Sequence, residues 1–254
     1  MILTLDIGNT TIGVCGAERT GPEEYEIRFS RRLPTLEDQA DYLPALSELL
    51  DSEGSPALEG AVLSSVVPRL DGPVIHAAEK LLGKTPVRIK AGEGLPFAIP
   101  HPELLGLDRI ADAVWAAKHY PLPAVTADLG TATTFNVLSG EGVFLGGLIV
   151  SGLETGVKAL TERTARLPSI TLSQPAHLIG RDTEECMRSG AVFGTAALID
   201  GIAARIEAAL GPVTLVLTGG WADLVSPLCL HAHDCDPFLL PKGLALLYDR
   251  SQAR

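Results

Sequence analysis

The sequence predicts an α/β fold built from two related halves, and three observations lead to it. Strand-like and helix-like patterns alternate along the whole chain, which argues for layered α/β architecture. A strand running into Asp-X-Gly and then threonine occurs twice, at Asp6-Ile7-Gly8-Asn9-Thr10 and at Asp128-Leu129-Gly130-Thr131. Asp128 lies 122 residues after Asp6 in a chain of 254, so the repeat divides the sequence almost equally. Duplicated β-rich halves suggest two related domains, expected at 1–118 and 119–254, with a ligand cleft between them.

The elements follow in order. The apolar run Met1 to Leu5 ends in a polar tip and resumes at Ile12-Gly13-Val14-Cys15, which reads as strand, tight glycine turn and strand. Helical spacing covers Leu36 to Leu50 and Val74 to Leu82, with a strand from Gly60 to Val67 between them. Pro96, Pro100 and Pro102 mark a shaped loop before a helix from Asp108 to His119. The second half repeats the hairpin at Ala124 to Leu138. Helices at Gly156 to Arg166 and Thr183 to Leu210 follow, then a strand at Val213 to Leu217 and a helix at Gly243 to Asp249.

Composition narrows the function. Hydrophobic residues make up 46%, charged 20% and aromatic 5%, as in a folded domain with an aliphatic core. A formal charge of −11 repels phosphate backbones and anionic membrane surfaces, so neither nucleic acid nor membrane is an expected partner. The start lacks a basic segment followed by a long apolar run, and no stretch of about 18 apolar residues is uninterrupted, so the expectation is a cytoplasmic protein. Cys15, Cys186, Cys229 and Cys235 are scattered too unevenly for a disulfide framework.

Two hairpins with Asp before Gly can present a carboxylate beside exposed backbone N–H groups, a geometry that handles metal and phosphate. A single copy would read as a good turn, because glycine allows positive φ and aspartate caps its own backbone. The repetition points to chemistry.

The ordered motifs resemble type III pantothenate kinase along residues 1 to about 250. Asp6-Ile-Gly-Asn-Thr10 is similar to that family's first phosphate motif, Ser64-Ser-Val-Val-Pro68 to its next strand, and Gly106-Leu-Asp-Arg109 to its Gly-X-Asp-Arg motif. Asp128-Leu-Gly-Thr-Ala-Thr133 resembles the second phosphate motif. Gly146-Gly-Leu-Ile149, Thr164 to Pro168, Ile179 to Thr183, Ser189-Gly190 with Gly194, and Thr218-Gly-Gly220 then match in order.

The resemblance implies two ribonuclease-H-like domains of the actin-like ATPase kind, and transfer of phosphate from ATP to pantothenate at the start of coenzyme A synthesis. It implies that Asp108 is the general base, with Gly106, Leu107 and Thr183 contacting substrate and Arg109 pairing with its carboxylate. It places Asp6, Ile7, Gly8, Asn9, Thr10, Thr11, Ile12, Gly13 and Thr131 against the nucleotide. Asp6 would act through the magnesium of ATP, and Asp128 would hold a monovalent cation, potassium or ammonium. Thr183 would be supplied by the second subunit of a homodimer that shares its substrate site. Asp108 also suits an N-cap, since it precedes an apolar-periodic run, and Arg109 suits a solvated helix position.

The chain departs from the family at Ile99, where tyrosine is usual, and at His101, Asp112 and Ser151, where Asn, Asn and Pro are common. These changes touch the pocket's shape and add a negative charge near Asp108. They keep two other readings open: a regulatory accessory protein on the same fold, and a kinase for another small hydroxyl acceptor. Gly83-Lys84-Thr85 is not a P-loop, because Ala78 stands where its first glycine belongs. Cys229, His231, His233 and Cys235 would span about 20 Å on a strand, too far for one zinc ion; a loop could gather them, but the expected reading is a polar strand end with buried thiols.

Overall fold

The computed structural model describes residues 1–36 and 41–253. The chain divides into two compact units, one of Met1–Trp115 together with the segment from Phe238, the other Ala116–Pro237.

In the first unit, β1 (Ile2–Ile7), β2 (Thr11–Gly21) and β3 (Glu24–Pro34) form an antiparallel meander. Next come α1 (Leu43–Ser52), β4 (Gly60–Ser65), α2 (Pro68–Leu82), β5 (Val87–Arg88) and α3 (Leu107–His119), whose residues from Ala116 on are counted with the second unit. The sheet order is β3-β2-β1-β4-β5, with β4 parallel to both β1 and β5. The period-2 alternation of β1 puts Leu3, Leu5 and Ile7 on one face, where they pack with Ile12, Val14 and Leu63 against Leu46, Leu49, Leu70 and Val74 of α1 and α2. The helix expected from Leu36 starts at Leu43, and residues 37–40 of that expectation lie outside the described residues. The helix expected from Val74 starts earlier, at Pro68, whose fixed φ suits the first helical position, and ends on Gly83 at φ +64°.

The second unit repeats the plan with β6 (Ala124–Leu129), β7 (Ala132–Leu138), β8 (Phe144–Ser151), α4 (Leu153–Arg163), α5 (Thr183–Leu210), β9 (Thr214–Thr218), α6 (Ala222–Val225) and β10 (Asp234–Cys235). Its sheet order, β10-β9-β6-β7-β8, reads backwards as the first sheet's, and the pairing directions also correspond. Val125, Ala127, Leu129 and Phe135 pack against Val192, Ala196, Ile199 and Ala203 of α5. By length and composition α5 could cross a membrane, but this stripe of it is buried in the unit's core.

The last helix, α7 (Leu239–Gln252), belongs with the first unit, whereas the sequence reading assigned all of 119–254 to the second domain. The reason is the open second face of the first sheet. There a Cβ at Gly60 would lie 2.1 Å from the Tyr248 hydroxyl, and one at Gly243 would lie 2.0 Å from the Ala111 carbonyl of α3, so close packing sets the helix position. Arg19 clamps it through a two-pronged contact with Asp249 (Nε–Oδ2 2.9 Å), to which Tyr25 also donates.

Candidate active site

The two Asp-bearing hairpins occupy equivalent places. In the first unit Asp6 pairs across to Gly13 on β2 and lies beside Ser64 on β4; in the second, Asp128 pairs across to Thr134 on β7 and lies beside Thr218 on β9. Residues in register share a face, so each carboxylate stands at the end of a strand with its neighbours' polar groups alongside.

The first loop closes through Gly8 N donating to the Thr11 carbonyl at 2.9 Å. Asn9 and Thr10 are exposed at its tip, while Ile7 and Ile12 are buried in the core. Ile7 and Ile12 therefore anchor the loop, and their backbone is what they could offer a ligand. The second loop closes through Gly130 N to the Ala132 carbonyl at 3.1 Å, with Thr131 exposed.

Close approach shapes the second loop further. At Gly219, φ +92°, a Cβ would lie 2.2 Å from Asp128 Oδ1 and 2.5 Å from Leu129 N. One at Gly152 would lie 2.3 Å from the Gly130 carbonyl oxygen. Both glycines let a neighbouring turn press against the loop.

These donors fit hard cations, which take oxygen ligands. Asp6 has beside it the Ser64 hydroxyl, which is fully buried and lacks a hydrogen-bond partner among the described residues. Asp128 has the hydroxyls of Thr134 and Thr218 in register beside it.

Gly106 to Arg109 form the entry to α3. Asp108 Oδ1 accepts from Arg109 N at 2.8 Å, and a Cβ at Gly106 would lie 2.4 Å from that same oxygen. Glycine at 106 thus leaves room for the carboxylate, which sits in the helix's first turn, after Leu107. Arg109 is half-buried; burial pushes its pKa down, while the carboxylates of Asp108 and Asp112 push it up. Asp112 is one turn further along α3 and buried. Ile99 is half-buried, His101 is exposed with Nδ1 3.1 Å from Glu103 Oε1, and Ser151 ends β8.

Thr183 is exposed at the first turn of α5, after Asp182, whose carboxylate caps the helix by accepting from Glu185 N at 2.8 Å. It borders a groove of about 950 Å³ between α4 and α5, lined by Val157, Leu160, Leu167, Met187, Gly190 and Gly194 among others. The segment between these helices is pinned to them by Thr161 donating to the Pro168 carbonyl, Arg188 to the Thr171 carbonyl and Ser189 to the Leu178 carbonyl.

The structure therefore gathers Asp6 with Gly8 to Gly13 in one loop, Gly106 to Arg109 at one helix start, and Asp128 with Thr131 in the other loop. Thr183 stands at the groove. Sequence reading missed Thr35 and Thr155, whose hydroxyls bond the Gly8 and Thr131 carbonyls, because no motif marks a threonine 27 or 24 residues away from its acceptor. Of the cysteine and histidine cluster, His231 Nε2 pairs with Glu207 at 3.1 Å, and among the described residues no three His, Cys, Asp or Glu groups converge to hold an ion.

Comparison with known proteins gives the family. A family model described as type III pantothenate kinase matches residues 2–205. A type III pantothenate kinase of Myxococcus xanthus is 35% identical over 260 residues, covering 100% of both chains. Among solved structures, a Baf family transcriptional activator from Campylobacter jejuni aligns with TM-score 0.58 at 20% identity, covering 99% of this chain and 100% of that one. A ROK family glucokinase from Streptomyces griseus, solved with glucose and AMPPNP, aligns with TM-score 0.56 at 13% identity, over 99% and 100%. These likenesses are of the fold, α/β with two units that repeat one five-stranded mixed-sheet plan. With its motifs in order and its relatives matched end to end, the chain belongs to the type III pantothenate kinase family.

Proposed function

We propose that this chain transfers the γ-phosphoryl group of ATP to the primary hydroxyl of pantothenate, giving 4′-phosphopantothenate and ADP, the first step of coenzyme A synthesis. The supporting observation is the start of α3, where a backbone N–H orients the Asp108 carboxylate beside the half-buried Arg109 guanidinium. Asp108 takes the hydroxyl proton as the oxygen bonds to the γ-phosphorus and the bond to the bridging oxygen of ADP breaks. Arg109 pairs with the pantothenate carboxylate through its planar fork, and Gly106 and Leu107 offer backbone to the substrate.

The first loop, Asp6 to Gly13, and Thr131 of the second hold the nucleotide. Asp6 is the residue that would serve magnesium, and Asp128 the one for potassium or ammonium; when bound, these cations neutralise phosphate charge, which a chain of net charge −11 otherwise repels.

Thr183 completes the substrate site of a second copy in a homodimer. The α4–α5 groove supports this, with Leu160 49% exposed and open space over Gly190 and Gly194, and so do Leu178 and Ile179, 65% and 80% exposed in the segment that leads into α5. The buried stripe of α5 and the acidic charge fit a cytoplasmic enzyme.

The test is ADP release with Mg-ATP and potassium, with and without pantothenate. Pantothenate-dependent release that falls about 10²- to 10⁴-fold in Asp108→Asn, with little change in KM, is expected of a general base. Absence of release from folded protein under potassium and ammonium alike would sink the pantothenate assignment, and release with other hydroxyl acceptors would identify the kinase by its true substrate.

A further inference from the structure

Each candidate phosphate loop is held from outside by one threonine. In the first unit, Thr35 just beyond β3 donates its hydroxyl to the Gly8 carbonyl at 2.8 Å and its N–H to the Thr10 carbonyl at 3.0 Å. In the second, Thr155 in the first turn of α4 donates its hydroxyl to the Thr131 carbonyl at 2.7 Å, and Gly152 N donates to the same oxygen at 3.1 Å. The two threonines come from different elements, a strand end and a helix start, yet make the same kind of bond.

A loop that binds phosphate must turn N–H groups toward the anion and carbonyl oxygens away from it. In a planar trans peptide the C=O and the following N–H point in opposite directions. Fixing the Gly8 carbonyl therefore aims Asn9 N–H to the opposite side, and fixing the Thr131 carbonyl does the same for Ala132 N–H. The side chains of Asn9 and Thr131 are exposed, so these peptides are held through their carbonyls, Gly8 by Thr35 and Thr131 by Thr155 together with the closely packed Gly152.

We infer that Thr35 and Thr155 are positioning residues that lock the carbonyls of the two loops outward, so that the loops' N–H groups meet the nucleotide phosphates. This rests on the kinase reading in one respect only, that these loops bind a nucleotide. Neither threonine touches substrate; each acts through a loop carbonyl.

The experiment measures calorimetric affinity for the magnesium complex of the non-hydrolysable β,γ-imido analogue of ATP, alongside steady-state kinetics, for Thr35→Val, Thr155→Val and the corresponding serine variants. Each valine variant is expected to bind the analogue about 3- to 10-fold more weakly, the range that a single net hydrogen bond commands, with KM for pantothenate unmoved. Each serine variant, which keeps the hydroxyl, is expected to restore affinity. Unchanged affinity in the valine variants, or serine variants as weak as valine, would overturn the inference. Thr155 is exposed, so its valine variant keeps the fold and decides the matter even if Thr35→Val is lost to misfolding. A parent protein that binds the analogue but leaves pantothenate untouched would remove the substrate assignment while the affinities still judged the two threonines. A parent that fails to bind the analogue overturns both.

Discussion

Gly219→Ala is a sharp perturbation of the second loop. Gly219 follows β9 in a turn that Trp221 N ties to the Leu129 carbonyl at 3.2 Å, and its φ is +92°. An alanine there costs about 1–2 kcal/mol for the left-handed backbone alone. Its Cβ would also lie 2.2 Å from Asp128 Oδ1 and 2.5 Å from Leu129 N. The carboxylate can swing away, but the Leu129 peptide is fixed in the ladder with β7, so relief needs a backbone shift of the kind that costs about 1–3 kcal/mol. The total of roughly 2–5 kcal/mol corresponds to a melting temperature lower by about 5–15 °C for a chain of this size. Because the movable partner is Asp128, the variant should also need more potassium or ammonium for half-maximal activity. Differential scanning calorimetry and a cation titration read the two effects. A variant that melts within about 1 °C of the parent, with the same cation requirement, would refute the reasoning, since the backbone term alone exceeds that shift.

Three other outcomes are expected. Burial works to raise the Asp249 pKa, but the Arg19 fork and the Tyr25 hydroxyl overcome it and hold the carboxyl below 3.8; the clamp on α7 is thus complete above that pH and weakens as pH falls through the lowered value. Asp249→Asn should lower stability by about 1–3 kcal/mol near neutrality in urea unfolding, with the deficit shrinking in acid; a constant deficit down to acid pH would contradict the clamp. Burial opposes protonation of His231, but Glu207 and the Ala232 carbonyl outweigh it and raise the pKa above 6.5, while Glu207 itself lies below 4.5; Asp200 adds to the pull on His231. The pair therefore stabilises fully below the ordinary histidine value, loses that contribution as pH rises through the raised value, and loses the Glu207 share in acid, so the melting difference between parent and His231→Gln should vanish at alkaline pH. Gly194→Glu places a charged chain in open space over the α4–α5 groove, where a monomer tolerates it and helix propensity gains up to about 1 kcal/mol. Analytical ultracentrifugation should show a folded monomer; an undiminished dimer would remove this groove from the subunit interface.

The Asp-X-Gly hairpins were legible because a strand, a glycine turn and a returning strand are adjacent in sequence, and their repetition after 122 residues gave the duplication. Helix α5 covers the expected Thr183 to Leu210, and the structure shows why it begins and stops there: Asp182 caps its start and Gly211 follows its end. The antiparallel strand β3 escaped notice although Tyr25, Ile27 and Phe29 alternate with Glu24, Glu26 and Arg28, the period-2 signal of a half-buried strand. Strand β8 offers little of that alternation, because Gly146 and Gly147 sit in its middle and Leu145, Leu148 and Ile149 are all partly exposed.

By itself the sequence determined the α/β class, the two-fold repeat and the residues that can bear charge or a proton, all of which are read from short local patterns and their recurrence along the chain. Only the tertiary structure decided that α7 returns to cover the first sheet, that Gly219 and Gly152 press on the second loop, and that Thr35 and Thr155 hold the loop carbonyls. Those outcomes arise from contacts between residues tens to hundreds of positions apart. Helix and strand periodicity records which face of an element is apolar, and leaves open which distant element will cover it.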